Sequence, residues 1–161
     1  MVKDELICFL QKNKDEDNAK FERKLIKTNY EILGLKTKLI EDYAKILAKK
    51  NLDIDQLLPF TYYEEILIAG IMIGKQKISS KEKVEQIKKL LPYIDNWGTC
   101  DCILSRLKNM ENEKEFFFSL LNETNPFYQR FGIVWILKYY LKIDVKFSLF
   151  LIKNTKIIVA K

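Results

Sequence analysis

Between Tyr62 and Lys75 the chain reads YYEEILIAGIMIGK, a stretch that is apolar on nearly every side of a helix. Such a helix has no solvent face and must be covered by other elements all round. The apolar run Ile66–Gly74 is too short to span a bilayer, so the cover has to be protein. A helix of this kind suits the middle of a stack. The rest of the chain favours more of the same, because five glycines and three prolines in 161 residues serve strands and tight turns poorly.

Helical periodicity runs almost throughout. Leu6, Phe9 and Leu10 form one stripe, and Phe21, Leu25 and Ile26 a second. Thr37 is placed to cap a helix burying Leu39, Ile40, Tyr43, Ile46 and Leu47. Ser79 with Glu82 forms a capping-box pattern before a helix that buries Val84, Ile87, Leu90 and Leu91. Asp95 or Asn96 starts the next helix, which ends near Asn109. Asn112 with Glu115 repeats the capping pattern, and Asn125-Pro126 reads as a cap followed by proline in the first turn. About nine helices on short polar connections result. The expected fold is all-α, a HEAT-like α-solenoid of antiparallel helix pairs in one domain over residues 1–161, with a compact bundle as the structural alternative. Residues 141–161 are atypical of such a domain: they permit a helix over Val145–Lys153, then end in the β-branched run Thr155–Val159.

Composition removes many chemistries. Without histidine there is no Ser-His-Asp or Cys-His arrangement and no histidine general base. Cys8, Cys100 and Cys102 include no CxxC pair, so no metal site is expected, and their sparse, odd number suggests a reducing cytoplasm. No GxxxxGK[ST] or GxGxxG supports a nucleotide cofactor. The net charge of +6 is uneven: residues 75–89 carry six lysines against two glutamates, and residues 138–161 six lysines against one aspartate. Such patches suit a polyanion, or simply make a solvated surface.

Four segments, IDNWGTCD at 94–101, NPFYQRFGIVWILKYYL at 125–141, YEILGLKTKLIEDYAK at 30–45 and YYEEILIAGIMIG at 62–74, occur in one order and spacing. Together they resemble the AlkD-like DNA alkylation repair family of HEAT-repeat DNA glycosylases. The resemblance implies a concave basic face that holds duplex DNA with alkylated bases, and excision of cationic N3- or N7-alkylated purines without metal or nucleotide cofactor. No membrane partner is expected, since the apolar runs are too short to span a bilayer, and the cysteine usage points to a cytoplasmic location; a monomer is expected. The family's Trp and Asp, four residues apart, fall on Trp97 and Asp101, and its essential arginine falls on Arg130. Candidate DNA contacts are Lys36, Lys38, Lys45, Lys142 and Lys146.

The residue types suit that chemistry. An N-alkylated purine is already cationic and leaves as a neutral base, so no general acid is required. Asp101 can stabilise oxocarbenium character on the deoxyribose and orient a water. Trp97 can present a π face to the cation, worth ~1–2 kcal/mol when desolvated. Arg130 can clamp a phosphate through its planar fork. Gly98 lets backbone approach closely, and the helix start near Asn96 favours a phosphate. Each residue also has a plain structural reading. Trp97 can pack between helices, Asp101 can be a solvated charge near a helix start, and Arg130 can pair with a surface carboxylate. Cys100 and Cys102 read as small helix fillers, Trp135 and Phe116–Phe118 as core, and Tyr62 and Tyr63 as ambiguous.

Two departures from the family stand out. Its T-P-x-[LI]-R pattern is here Thr37-Lys38-Leu39-Ile40-Glu41, with an acid at the arginine position that weakens a phosphate contact unless Lys36, Lys38 and Lys45 compensate. The family's later aromatic YYVxMAxAW-like segment has no counterpart, so a chain shortened at its C-terminus is expected. The alternative function is a catalytically inactive HEAT-like module that binds structured nucleic acid or a protein partner.

Overall fold

The twelve residues Tyr63–Gly74 are all buried, as a helix apolar on every side requires. In the computed structural model, which describes residues 2–156, this helix is α4 (Tyr63–Lys75) and packs most extensively against three others. They are α3 (Thr37–Lys49), α5 (Ser80–Leu90) and α6 (Trp97–Arg106). Before them come α1 (Val2–Lys12) and α2 (Glu16–Leu25). After them come α7 (Lys114–Ser119), α8 (Pro126–Trp135), which continues as a wider π turn through Ile136–Tyr140, and α9 (Val145–Asn154). The protein is all-α. Among the described residues the one β feature is an isolated parallel bridge between Glu31 and Tyr62, and no helix is long and apolar enough to cross a membrane. The β-branched run Thr155–Val159 lies mostly outside the described residues.

The chain forms two compact units, Met1–Lys108 and Asn109–Lys161. In the first, small residues set how closely helices approach. Gly70 faces Ile103, and Gly74 faces the Arg106 carbonyl, 2.7 Å from where a Cβ would stand. Both glycines of α4 therefore serve contact with α6. Glu64 and Glu65 begin the same helix with buried carboxyls. Glu65 accepts from the Thr61 and Tyr62 N–H groups and pairs with Lys3 of α1. Glu64 accepts from the N–H groups of Leu33 (3.0 Å), Gly34 (2.6 Å) and Leu35 (3.3 Å). The turn at Gly34 needs glycine, since its φ is +80° and a Cβ would meet the Asp15 carbonyl at 2.2 Å.

That buried carboxyl overturns Phe21 and Leu25 of the expected apolar stripe of α2, whereas Ile26 is buried as expected. Phe21 is 59% and Leu25 53% exposed, while Ala19 is buried and Asn18 and Glu22 turn inward toward the Gly34 turn and Glu64. The inner face of α2 is polar because its neighbour there is polar. In α3 the buried face is Ile40, Ala44, Leu47 and Ala48, with Leu39 and Ile46 outside. Lys36, not Thr37, is the cap residue. The capping box at Ser79 and Glu82 forms as expected.

The second unit is built around stacked rings. Trp135 lies parallel to Phe117 at 4.4 Å, with Phe131 beyond, so these residues are core. Gly132 brings α8 onto α7, where a Cβ would meet the Phe117 carbonyl at 2.7 Å. Asn125 caps α8 with Pro126 in its first turn. The Asn112–Glu115 pattern does not form. Glu113 occupies the cap position and α7 begins at Lys114, one residue too late for that spacing.

Candidate functional site

The start of α6 is built by an asparagine and a glycine. Asn96 Oδ1 accepts from the Thr99 N–H at 2.9 Å and the Thr99 hydroxyl at 3.1 Å, which satisfies one open N–H of the first turn and fixes where the helix begins. Thr99, Cys100, Ile103 and Leu104 form the buried face. Trp97 and Asp101, one turn apart, lie off that face. Trp97 is 48% exposed and Asp101 half-buried. The packed-tryptophan reading therefore fails for Trp97, while Trp135 fulfils it completely.

Gly98 has a different use from the one expected. A Cβ there would stand 2.6 Å from Ile26 Cδ1 and 3.4 Å from the Tyr63 hydroxyl, so its bareness serves packing inside the unit. Tyr63 is thereby settled as a buried residue whose hydroxyl burial raises well above its ordinary value. Tyr62 instead accepts a hydrogen bond from Gln11 at 2.8 Å. The α6 start is also less inviting to a phosphate than a bare helix end, because the Asp95 carboxylate stands beside it, accepting from Asn96 Nδ2 at 2.9 Å.

Glu41, the acid where the resembled family has arginine, has a partner 65 residues away. Arg106, at the end of α6, donates from Nε at 2.9 Å and from a terminal nitrogen to the same Glu41 oxygen. That hydrogen bond holds the Glu41 carboxyl below its ordinary range. The pair joins α3 to the helix that carries Trp97 and Asp101. Cys102 is half-buried between these groups, its thiol pushed up by burial, and Cys100 is fully buried.

The candidate DNA contacts divide between the units. Lys36, Lys38 and Lys45 are exposed on and just before α3, where Lys38 and Lys45 flank Asp42 at 3.3 and 2.8 Å. Lys142 and Lys146 are exposed in the second unit, around the start of α9. Arg130 is half-buried on α8, next to the buried Gln129, whose amide holds the carbonyls of Leu121, Glu123 and Lys156. The lysine run at 75–89 is less available than its composition implies. Lys83 is buried with its ammonium on the Gly74 and Lys108 carbonyls, and burial lowers its pKa. Lys89 sits between Asp53 and Asp55, and Lys88 pairs with Glu85.

Residues 7–155 match the family described as DNA alkylation repair enzyme. The chain belongs to that family. No curated protein and no solved structure matches it. For this DNA alkylation repair family member, the role lies in alkylation repair and DNA is the partner. Sequence reasoning named Ile26 as an apolar stripe residue and Asp95 as a helix-start candidate but missed that they, with Thr28 and Arg106, brace α6. Their partners lie 65 to 72 residues away, and no local spacing reveals such pairs.

Proposed function

We propose that this alkylation repair protein is a DNA glycosylase that hydrolyses the N-glycosyl bond of cationic N3- or N7-alkylated purines in duplex DNA. The observation that carries the reading is an exposed indole one helical turn from a half-buried carboxylate, both off the buried face of α6, in a chain of this family. A large ring left half in water costs the fold burial it otherwise gains, and a π face beside an anion suits a cation. Asp101 stabilises positive charge developing on the deoxyribose and orients the water that attacks its anomeric carbon. The purine departs with the glycosyl bond electrons as a neutral base, and the water proton passes to the carboxylate or to solvent. Trp97 offers its π face to the lesion or its sugar. Arg130, in the second unit, holds a phosphate.

The test is release of 7-methylguanine from alkylated duplex. Asp101→Asn keeps the shape and removes the charge, so release is expected to fall by about 10²–10³-fold with duplex affinity nearly unchanged. Trp97→Ala is expected to lower both lesion binding and release, and Arg130→Ala to cost ~2–4 kcal/mol of transition-state stabilisation. Uracil, which leaves as an anion unless protonated, is expected to be a poor substrate. A folded wild-type chain that binds duplex and releases no base overturns the reading and leaves a silent binding module in its place.

A further inference from the structure

The Asp95 carboxylate collects four hydrogen bonds from three residues. Its Oδ1 accepts from the Thr28 hydroxyl at 2.7 Å and from Asn96 Nδ2 at 2.9 Å. Its Oδ2 accepts from the Asn29 N–H at 2.6 Å and again from the Thr28 hydroxyl at 3.0 Å. Thr28 and Asn29 belong to the segment between α2 and α3. Ile26 of the same segment seats against Gly98. One segment thus holds the first turn of α6 at two points, on either side of Trp97.

We propose that Asp95 is a positioning residue for Trp97, acting through the α6 cap. The inference rests on the glycosylase reading only for its catalytic consequence. Asn96 is buried, and its amide can cap α6 only if Oδ1 faces the helix and Nδ2 faces away. Asp95 accepts from that Nδ2 and so fixes the orientation of the cap. Trp97 is the first residue after it, with half its surface in water, so its aim depends on the backbone that carries it. A carboxylate suits the post because Thr28, Asn29 and Asn96 all donate to it. An amide at position 95 that kept the Asn29 and Thr28 bonds would oppose its own NH2 to that of Asn96.

The experiment uses the full chain as Asp95→Asn, Thr28→Val and Thr28→Ser, each checked for native far-UV dichroism. Trp97 is followed by acrylamide quenching and emission anisotropy, with Trp97→Phe identifying its share beside the buried Trp135. Thr28→Val and Asp95→Asn are expected to raise the quenching of Trp97 and lower its anisotropy, while Thr28→Ser, which keeps the hydroxyl, restores both. On alkylated duplex, kcat is expected to fall by about 10- to 100-fold in the first two, with KM changed far less. Unmoved quenching and anisotropy in folded Thr28→Val overturn the proposal, as does an unchanged kcat in that variant when the wild type is active. If the wild type releases no base, the optical readout alone decides, and a shift there upholds the positioning role while the hydrolytic reading fails. If Asp95→Asn does not fold, the Thr28 pair decides in the same way.

Discussion

Glu22 and Glu64 meet between α2 and α4 with unequal means. Glu64 takes three backbone N–H groups, whereas Glu22 Oε2 is buried without a hydrogen-bond partner among the described residues. Burial, then the charge of Glu64, pushes Glu22 from its ordinary 4.5 up to about 7, and burial raises Glu64 as well. The folded chain therefore keeps protons that the unfolded chain releases near pH 4.5. Stability from this pair is fully present below that pH and is lost as pH rises through about 7. The urea midpoint is expected to decline across that window, and Glu22→Gln to flatten part of the decline, leaving the share of Glu64. An unchanged slope in the variant would place the proton elsewhere. Glu41 and Asp53, held low by Arg106 and by the Asp55 N–H, act in the opposite sense in more acidic solution.

Among the helices, the same glycine-to-alanine change has different consequences according to what stands opposite. Gly132→Ala pushes a methyl against the Phe117 carbonyl, which is backbone and cannot swing aside, so a loss of about 1–3 kcal/mol is expected. Gly98→Ala meets the tip of Ile26, a flexible side chain that can rotate, and alanine's helix preference offsets part of that shift, so a smaller loss than at Gly132 is expected. Urea unfolding of the two variants side by side distinguishes a clash with backbone from one with a side chain. The same distinction between near and distant neighbours decides how far the sequence can be read. Caps at Ser79, Asn96 and Asn125 are legible because cap and helix are a few residues apart, and Trp97 with Asp101 is legible as one helical turn. The outward turn of Phe21 and Leu25 is not, because it follows from a buried Glu64 far along the chain. Nor is the Glu41–Arg106 pair, which turns an apparent loss of a basic residue into a brace on α6.

At the scale of the whole molecule, the net charge of +6 divides evenly, +3 on residues 1–108 and +3 on residues 109–161. Duplex affinity is expected to fall linearly with log salt, and Lys142→Glu with Lys146→Glu to make that slope shallower by about 0.9 for each phosphate no longer neutralised. Lys89→Gln, which removes a lysine already held by two aspartates, is expected to leave the slope nearly as it was. Anisotropy titrations between low and high salt check both, and equal slopes in all three proteins would exclude Lys142 and Lys146 as phosphate partners. The twelve buried residues of α4 have a consequence of another kind. Most backbone N–H groups of that helix are bonded along it, and those of its twelve buried residues lie beneath other elements, so fraying at an edge does not reach them. Their hydrogens are expected to exchange with solvent only when the first unit opens as a whole, which makes α4 the slowest clock in that unit and, in hydrogen-exchange measurements, the record of its full unfolding free energy.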